Sequence, residues 1–482
     1  MEFHAIVPFA KVEFDVILNQ SQIHNPFIFN QKMYRKCYEQ LVAWKNRSHG
    51  TSAMLIEGAR RVGKSWLAEE FAKREYDAYL LINFSYAESD IRALFDNYLR
   101  DLDTFFHKLL NAYSVTLPPR KSLIIFDEVQ LCPRAREAIK PLVIDGRYDY
   151  LETGSLVSLR ENTSGILLPS EEESITLLPM DFEEFATALG KSSLYEQLRE
   201  GFAAARPLGS ILHRQAMDLL REYMIVGGMP QAVFDYLDDR QLAKADARKR
   251  QILKLYRDDI ASHSKRYSLK IRQLFDDLPA QLSTHDRRFR PSALNKQAAT
   301  RTYEDALFWL EDAKIILPCF NATEPNVGLK LNRERPFLKC YMADTGMLLS
   351  HSFDEKRLQA EEIHRRILCQ SIELNQGMFL ENLVAQMLVA SGHPLYFFSK
   401  TRGESRAEEM EIDFLIAKSR LSQRHNISPL EVKSGKRTKL ASLNKFRSKY
   451  QDYVSQPFVL HTGDWKIQDG ITYLPVYLTP FL

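Results

Sequence analysis

The chain has 482 residues, of which 45% are hydrophobic and 26% charged, so it is too long for one ordinary domain and can bury sizeable cores. The formal net charge of +3 excludes nucleic-acid binding by overall charge alone, and no apolar run approaches the ~20 residues of a membrane-spanning helix, so no membrane partner is expected. The five cysteines are odd in number and far apart, which argues against a disulfide framework or a zinc ribbon and predicts a cytoplasmic protein.

Residues 31–265 alternate between apolar segments and helical patterns, after an extension of 30 residues to which the sequence assigns no role. A helix over KMYRKCYEQLVAWKN leads to a strand in TSAMLIEGA, and further strands are predicted in AYLLINFS, SLIIFDEVQ and YDYLETGS. Helices are predicted over SWLAEEFAKREY and over residues 91–113. Strands that alternate with helices imply a parallel sheet, so the sequence predicts an α/β fold here.

The loop after the first strand, GARRVGKS, has the glycine and lysine-serine spacing of a phosphate-binding P-loop. Gly58 and Gly63 let the backbone curl so that its N–H groups face phosphate oxygens, and the helix adds its positive N-terminal end. Lys64 is predicted to reach the β- and γ-phosphates of ATP, and the Ser65 hydroxyl to bind Mg²⁺. The two arginines inside the loop either contribute to phosphate charge or form a solvated face. The predicted nucleotide-binding residues are Gly58, Ala59, Arg60, Arg61, Val62, Gly63, Lys64, Ser65, Trp66 and Thr153.

The third strand supplies acidic residues at its carboxyl end. In SLIIFDEVQ an apolar run delivers Asp127 and Glu128 to the edge of the sheet where α/β proteins bind ligands. Asp127 is predicted to hold Mg²⁺ through water, and Glu128 to orient and deprotonate the attacking water. An adjacent acidic pair favours hydrolysis over phosphoryl transfer to a metabolite. The fourth strand ends in ETGS, where Thr153 or Ser155 would lie between the two motifs and sense the γ-phosphate.

These motifs, together with DGRYDYLETGSLVS, LLPMDFEEF, YMIVGGMPQAV, FLKCYMADTGMLL, EIDFLI and PLEVKSG, resemble those of a widespread group of prokaryotic AAA-type ATPases with a C-terminal domain of unknown function. The resemblance covers nearly everything after residue 35. It implies a P-loop NTPase core of the AAA/ASCE type, a helical lid, a winged-helix-like module and a restriction-endonuclease-like α/β domain similar to PD-(D/E)XK nucleases. The corresponding predicted boundaries are 1–30 for the extension, 31–265 for the ATPase domain with its lid, 266–350 for the module, 351–370 for a linker and 371–482 for the nuclease-like domain.

One departure from that family concerns an arginine. Many relatives carry a Gly-Arg pair before the segment that corresponds to LLPMDFEEF, whereas this chain reads GILLPSEEESIT there. The arginine that would contact the γ-phosphate is therefore unassigned, and Arg147 and Arg160 are the candidates.

Residues 268–315 are predicted to be helical and to end in an apolar turn, IILPCF. The stretch RPSALNKQAATRTYEDALFWLEDAKIILPCF fits a helix-turn-helix with a following wing, in which Leu307, Trp309 and Leu310 are core residues. Lys296 and Arg301 would contact DNA phosphates, which position a protein without reading its sequence. The alternative is a module that only packs against the ATPase core.

Near the C-terminus a helix, GMFLENLVAQMLVAS, precedes strands in LYFFS, EIDFLIA and PLEVKSG. Glu431 and Lys433 are two apart in a strand and so share one face. Asp413 would lie beside them if the strands pair as a hairpin, and Glu381 would add a carboxylate from the helix. Asp413 and Glu431, with the Val432 carbonyl, would hold Mg²⁺, while Lys433 positions or activates water for phosphodiester cleavage. The alternative is a fold that survives without catalysis.

The last basic segment, KSGKRTKLASLNKFRSKY, also holds Phe446 and Tyr450. Such a composition suits a surface that holds DNA or RNA by its phosphates, through basic residues of 433–449, although a charge run is also typical of a solvated helix face.

The sequence therefore predicts an ATP-hydrolysing protein, with ATP and Mg²⁺ as its ligands, that couples a nucleotide switch to nucleic-acid binding or to metal-dependent phosphodiester cleavage. The alternative is a regulatory or scaffold ATPase whose C-terminal domain is a catalytically silent platform. A homo-oligomer is among the expected assemblies.

Overall fold

The computed structural model of the protein describes residues 33–154, 170–262, 268–284, 287–289, 303–326, 328–354, 362, 364–367, 376–400, 408–417, 425–435 and 440–482. The predicted N-terminal extension and the predicted sites at Ser155, Arg160, Lys296 and Arg301 lie outside these residues.

A five-stranded parallel sheet forms the N-terminal part and positions the nucleotide motifs. Its strands are β1 (Ala53–Glu57), β2 (Ala78–Asn83), β3 (Ser122–Asp127), β4 (Asp149–Gly154) and β5 (Glu172–Thr176). Their spatial order is β2-β3-β4-β1-β5, and each neighbouring pair is parallel. The predicted α/β fold of a P-loop NTPase is thereby confirmed. Because β4 lies between β1 and β3, its carboxyl end adjoins the ends of both.

Within the described ranges, six helices connect or flank these strands. They are α1 (Cys37–Ser48), α2 (Lys64–Glu75), α3 (Ser89–Asn97), α4 (Leu102–Tyr113), α5 (Pro133–Glu137) and α6 (Ile139–Asp145). The helical segment predicted over 91–113 is in fact two helices. Asp101 causes the division, because its carboxylate accepts the Thr104 N–H at 3.1 Å and so caps a new helix.

Both faces of the sheet are buried, as the apolar runs of its central strands require. On one face, Phe84, Phe95, Phe105 and Phe126 form an aromatic cluster with ring centroids 5.1–5.9 Å apart. The other face contributes to one large hydrophobic cluster that continues through the helices that follow and into the C-terminal domain. The nucleotide motifs therefore lie on a rigid, fully packed support.

Six further helices follow the sheet and include the predicted lid. They are α7 (Phe182–Ala188), α8 (Ser192–Ala203), α9 (Ser210–Val226), α10 (Pro230–Asp239), α11 (Leu242–Ser262) and α12 (Ser268–Ser283). The GGMP motif joins α9 to α10. A Cβ on Gly228 would lie 2.1 Å from the Met180 carbonyl oxygen, so this close backbone contact requires glycine.

The middle region contains a β-hairpin where the sequence predicts a wing, but the pattern did not locate its strands. Helix α13 (Glu304–Asp312) leads to strands β6 (Ile316–Ala322) and β7 (Arg333–Met342), and then to helix α14 (Thr345–Ser352). The predicted apolar turn IILPCF is wrong, because this segment forms β6 and pairs antiparallel with β7. The backbone carbonyl and N–H groups of β6 find hydrogen-bond partners in β7, which begins more than ten residues further along the chain.

The C-terminal part combines helices with two sheets. Its elements are α15 (Gln376–Ala390), β8 (Tyr396–Lys400), β9 (Met410–Ile412), β10 (Phe414–Ala417), β11 (Ile427–Lys433), α16 (Ala441–Lys449), β12 (Phe458–His461), β13 (Lys466–Gln468) and β14 (Ile471–Pro475). One sheet has the order β10-β11-β12-β14-β13, and the other has the order β7-β6-β8-β9. The middle hairpin therefore shares a sheet with the C-terminal strands.

Two other predictions concern the linker before the C-terminal domain and the absence of a membrane-spanning helix. Within the predicted linker 351–370, His364 and Ile367 are buried, so the described part of this stretch packs against the protein. Among the described residues, no helix combines the length and apolar character that a bilayer crossing requires.

Candidate functional site

The loop between β1 and α2 folds tightly around its own lysine. The Lys64 ammonium donates to the carbonyl oxygens of Gly58 and Ala59, each at 3.0 Å, and the residue is only 7% exposed. A Cβ on Gly58 would lie 2.3 Å from the Leu177 carbonyl oxygen, so the loop can close in this way only with glycine there. Burial lowers the pKa of Lys64, although the nearby Glu128 carboxylate acts in the opposite direction. A cation held by oxygens at a helix N-terminus fits a triphosphate.

Asp127, the last residue of β3, accepts hydrogen bonds from three neighbouring elements. Its Oδ1 accepts from the Ser65 hydroxyl at 2.6 Å and from the Thr153 hydroxyl, and its Oδ2 accepts from the Asn83 amide at 2.7 Å. The residue is only 2% exposed. A hydroxyl and a carboxylate side by side are the oxygen ligands that Mg²⁺ prefers, so Ser65 and Asp127 fit the predicted metal.

Glu128 follows directly, and Thr153 links it to Asp127. The Glu128 backbone is left-handed, with φ of +55°, and its N–H donates to the Thr153 hydroxyl oxygen at 3.2 Å. The Gln130 amide donates to the Glu128 carboxylate. One hydroxyl on β4 thus contacts both Asp127 at the end of β3 and Glu128 directly after it. The predicted position of Thr153 between the two motifs is confirmed, and its role as a γ-phosphate sensor stays a prediction.

Both loop arginines are exposed, which favours the solvated-face alternative. The Arg60 guanidinium pairs with Asp259 on α11, and the Arg60 carbonyl accepts from the Tyr256 hydroxyl at 3.2 Å. Arg61 has a left-handed backbone with φ of +70°. Trp66 is half-buried and packs on the large hydrophobic cluster. The described contacts therefore fasten the P-loop to α11.

Two residues that the sequence analysis missed support the same site. Asn83 ends β2 at the edge of the sheet where Asp127 ends β3, and that shared position was a signal available from the strand pattern. Arg35 donates to the Val62 carbonyl at 2.9 Å and pairs with Glu184 at 3.2 Å, so it holds the buried half of the P-loop. No motif surrounds Arg35, and only its tertiary contacts identify it.

The candidate γ-phosphate contact at Arg147 is wrong, because this residue lies at the opposite end of the strand. Arg147 precedes the amino end of β4, whereas Thr153 lies near its carboxyl end. The Arg147 guanidinium pairs with Asp145 at 2.7 Å and with Asp103 at 2.8 Å. It therefore serves to hold the loop before β4.

In the C-terminal part, the predicted residues come together because β10 and β11 pair as an antiparallel hairpin. Asp413 lies just before β10, and its Oδ2 accepts the Val432 N–H at 2.8 Å. The Lys433 ammonium lies 2.5 Å from Glu431 Oε2. Glu381 projects from α15 and is 2% exposed. The predicted hairpin is confirmed, while the catalytic roles of these four residues stay predictions.

Lys339 of β7, which the sequence analysis missed, lies among these carboxylates. Its ammonium is fully buried and lies 3.3 Å from Glu381, 3.0 Å from Glu411 and 3.9 Å from Asp413. Burial alone would lower the pKa of Lys339, but Glu381 and the other carboxylates hold it above its ordinary value. Arg287 pairs with the second Glu381 oxygen at 2.6 Å. Removing one partner of a buried pair of this kind costs about 3–5 kcal/mol.

Asp413 and Glu431 fit a divalent cation, whereas Glu381 does not. Glu431 is 4% exposed, and its Oε1 has no hydrogen-bond partner. Burial and the Asp413 carboxylate raise the pKa of Glu431 to about 8, and burial and Glu381 raise the pKa of Asp413. Such mutual repulsion is what a bound cation would relieve. Burial also acts to raise the pKa of Glu381, but Lys339 and Arg287 hold it below its ordinary value.

A metal ion here would therefore have two carboxylate ligands. Across the described ranges, no three His, Cys, Asp or Glu side chains are grouped closely enough to hold a metal ion. One or two carboxylates with water in the remaining positions is the coordination that Mg²⁺ commonly adopts in proteins.

The aromatic residues of the basic C-terminal segment are core residues. Phe446 is fully buried, and its ring centroid lies 5.1 Å from that of Phe398, while Tyr450 lies 5.4 Å from the same ring. The Phe446 ring is therefore not available to stack on bases, whereas Tyr450 packs on the same cluster and is half-buried. Lys445 and Lys449 are exposed on α16, whereas the basic residues just before this helix lie outside the described residues.

Helix α13 of the middle module does not offer a surface for phosphates. Leu307 and Leu310 are buried as predicted, and Trp309 is half-buried. Within the nine residues of this helix there is no basic side chain, and there are four acidic ones: Glu304, Asp305, Glu311 and Asp312. Phosphate contact by this helix is therefore unfavourable.

Three family models match successive parts of the chain. Residues 50–186 match the model described as an AAA domain. Residues 217–357 and 376–479 each match a domain of unknown function, DUF8612 and DUF4143 respectively. No curated protein matches the chain at a significant level of similarity.

Solved structures give only distant likenesses. The chain is similar to PCH-2 of C. elegans at 16% identity and a TM-score of 0.21, over 36% of this chain and 50% of that one. It thus spans half the length of that protein. It is also similar to Cdc6p of Pyrobaculum aerophilum at 9% identity and a TM-score of 0.25, over 73% of this chain and 99% of that one. At these scores neither likeness bears on function.

We predict that Thr153→Val slows ATP turnover about 100-fold and leaves nucleotide affinity nearly unchanged, because one positioned hydrogen-bonding group at a reacting centre is worth that much. The hydroxyl contacts Asp127 and the Glu128 backbone and is not part of the P-loop. Turnover is measured by phosphate release and affinity by calorimetry. Ser122→Ala is the matched control, because it removes a buried hydroxyl from the amino end of β3. Equal turnover in the two variants would contradict the assignment.

Proposed function

Starting from an AAA domain at residues 50–186, we propose that the chain binds ATP with Mg²⁺ and hydrolyses it at the carboxyl edge of the parallel sheet, and that the nucleotide state controls the C-terminal domain. The convergence of Lys64, Ser65, Asp127, Glu128 and Thr153 at that edge carries the proposal. These are the group types that phosphoryl transfer to water requires.

The chain's own residues divide the chemistry among them. Lys64, released from the carbonyls of its own loop, would donate to the β- and γ-phosphates. Ser65 and Asp127 would hold Mg²⁺, which when bound supplies a Lewis acid that offsets phosphate charge. Glu128 would accept the proton of the attacking water, in an orientation that Gln130 holds. Thr153 would hold Asp127 and Glu128 in a fixed position relative to each other.

A buried polar route that begins at the P-loop supports a nucleotide switch. On α11, the Tyr256 hydroxyl contacts the Arg60 carbonyl at 3.2 Å. Lys249, on the same helix, donates to the Ile225 carbonyl at 2.5 Å and to the Gly346 carbonyl at 3.1 Å. Burial lowers the pKa of Lys249 to about 8. Its hydrogen bonds join the end of α9 to the start of α14.

The route continues into α15 of the C-terminal domain. The Asp344 carboxylate accepts the Gly228 N–H, which links the ADTG and GGMP motifs. Thr345 donates to Gln386 Oε1 through its N–H and its hydroxyl, both at 2.8 Å, and the Gln386 amide donates to the Tyr223 hydroxyl at 2.9 Å. These groups are buried, so an unpaired one costs about 1–3 kcal/mol. A shift at the P-loop therefore has a physical path to α15.

Two variants separate nucleotide binding from hydrolysis. We expect Lys64→Ala to abolish both, because the only P-loop amine is lost. Glu128→Gln should retain ATP and lower turnover by about 100-fold or more, because only the general base is lost. Calorimetry and phosphate release measure the two effects. Lys73→Ala is the control, since this exposed lysine on α2 pairs with Glu69 alone among the described contacts. ATP turnover that persists in Lys64→Ala would refute the proposed site.

The coupling has its own test. In the intact chain, ATP with Mg²⁺ should change amide hydrogen exchange in residues 376–390 by about fivefold or more, the usual size of coupling between sites. Gln386→Leu should remove most of this response without loss of ATP affinity, because it breaks the buried link between α14 and α15. Gln197→Leu, an exposed glutamine on α8, is the control. An unchanged response in Gln386→Leu would show that the route is not used.

Metal-dependent cleavage of nucleic acid is the second candidate function, and the unpartnered Glu431 oxygen beside Asp413 favours it. Lys433 adjoins these carboxylates, and the exposed Lys445 and Lys449 on α16 suit a phosphate backbone. The competing function is a silent platform that binds without cutting. A homo-oligomer and a cytoplasmic location, both expected from the sequence, stay predictions.

Incubation of the chain with DNA and RNA in Mn²⁺ or Mg²⁺ distinguishes these two functions. For a nuclease, we expect cutting that falls about 100-fold or more in Lys433→Ala, because the group that positions water is lost. Lys400→Ala, which removes a lysine at the end of β8 that pairs with Glu408, is the control. Cutting that persists in Lys433→Ala would contradict the active-site assignment. Stimulation of ATP turnover by DNA, without cutting, would identify a platform.

A further inference from the structure

The ammonium of Lys339 lies where three carboxylates of the C-terminal domain converge, although Lys339 belongs to the middle hairpin. Together with Arg287 and Arg288 it faces Glu381, Glu411 and Asp413. We refer to these six residues, Arg287, Arg288, Lys339, Glu381, Glu411 and Asp413, as the Lys339 cluster.

Within the Lys339 cluster the charges are matched, with three cations and three carboxylates. The Arg287 guanidinium pairs with the Glu381 carboxylate at 2.6 Å, and the Arg288 guanidinium pairs with the Glu411 carboxylate at 2.9 Å. Asp413 has no arginine partner among these contacts. Its carboxylate forms an ion pair with the Lys339 ammonium at 3.9 Å. The cluster therefore needs no further cation while Lys339 is in place.

Asp413 is shared between the Lys339 cluster and the proposed metal site. Its Oδ1 faces Lys339, its Oδ2 accepts the Val432 N–H, and Glu431 lies beside it with one buried oxygen unpartnered. A divalent ion held by Asp413 and Glu431 would be repelled by the Lys339 ammonium. A cation bound to Asp413 thus has a competitor within the chain.

We propose that Lys339 is an internal competitor that lowers the affinity of the Asp413–Glu431 site for divalent metal. The competitor comes from the module before the C-terminal domain, on a strand that ends two residues before Asp344. The position of β7 relative to β10 therefore sets the strength of metal binding. The inference rests on the proposed metal role of Asp413 and Glu431 and is independent of ATP hydrolysis.

The orientation of β7 is fixed from several sides. It pairs with β6, and Arg288 bridges directly to Lys339 through the backbone. The Phe289 N–H donates to the Leu338 carbonyl at 2.9 Å. The Tyr341 hydroxyl, two residues from Lys339 on the same strand, donates to Glu381 at 2.6 Å. Lys339 is thus held against the carboxylates by the strand and is not a mobile surface lysine.

The test measures Mn²⁺ binding to the full chain without nucleotide, through the magnetic resonance signal of the free ion. Lys339→Met should bind Mn²⁺ at least about tenfold more tightly than the wild type, because a unit positive charge is removed from beside a ligand. Asp413→Asn in the Lys339→Met background should abolish the gain. Any Mn²⁺ held by Ser65 and Asp127 is common to these variants and cancels in the comparison.

Lys400→Met is the matched control, because it removes a lysine that pairs with Glu408 and leaves the Lys339 cluster unchanged. It should bind Mn²⁺ as the wild type does. Lys339→Gln, which keeps a hydrogen-bond donor, replaces Lys339→Met if the latter does not fold. A thermal unfolding midpoint that rises by about 4 °C or more in Mn²⁺ for the Lys339 variant alone would support the same conclusion.

The outcomes separate the competition from the metal role on which it rests. If the wild type and Lys339→Met bind equally well and Asp413→Asn abolishes both, the metal role holds and the competition is refuted. If no variant binds Mn²⁺ through Asp413, both are refuted. If Lys339→Met binds more weakly, Lys339 positions the carboxylates and does not compete.

Discussion

The site depends most on the Asp127 carboxylate, which joins the ends of three elements by hydrogen bonds. Ser65 reaches it from the P-loop helix, Thr153 from β4 and Asn83 from β2. These bonds can form together only because β4 lies between β1 and β3, so that all the carboxyl ends meet at one edge. At 2% exposure, the carboxylate would be costly to bury without these donors, and each is worth about 1.5–3 kcal/mol to a charged acceptor. The positions of Lys64 and Glu128 follow from this arrangement.

The three parts of the chain are connected by buried polar contacts as well as by shared sheets. The middle hairpin belongs to the same sheet as β8 and β9, and it brings Lys339 into the C-terminal acidic residues. Five residues later, Asp344 binds the GGMP turn beside the ATPase core. The short segment from Lys339 to Asp344 thus contacts both the C-terminal carboxylates and the GGMP turn.

Much of this could be predicted from the sequence, where local pattern decides the structure. The P-loop, the Asp127–Glu128 strand end and the β10–β11 hairpin follow from apolar periodicity and spacing. The strand β6 could not be recognised, because IILPCF is apolar without alternation and contains a proline, and only its pairing with β7 shows that it is a strand. The role of Lys339 could not be predicted from the sequence for a similar reason. It is a single charge within the apolar half of its strand, PFLKCYM, and the carboxylates that stabilise it follow more than 40 residues later.

Calorimetric titration of the purified full-length chain with ATP, in the presence and absence of Mg²⁺, tests the central claim most directly. If backbone amides of the P-loop and Lys64 hold the triphosphate while Ser65 and Asp127 hold the metal, ATP binds saturably and its affinity falls when Mg²⁺ is removed. A chain that is folded, as shown by cooperative thermal unfolding, and yet has no measurable affinity for ATP with Mg²⁺ supplied would contradict the account.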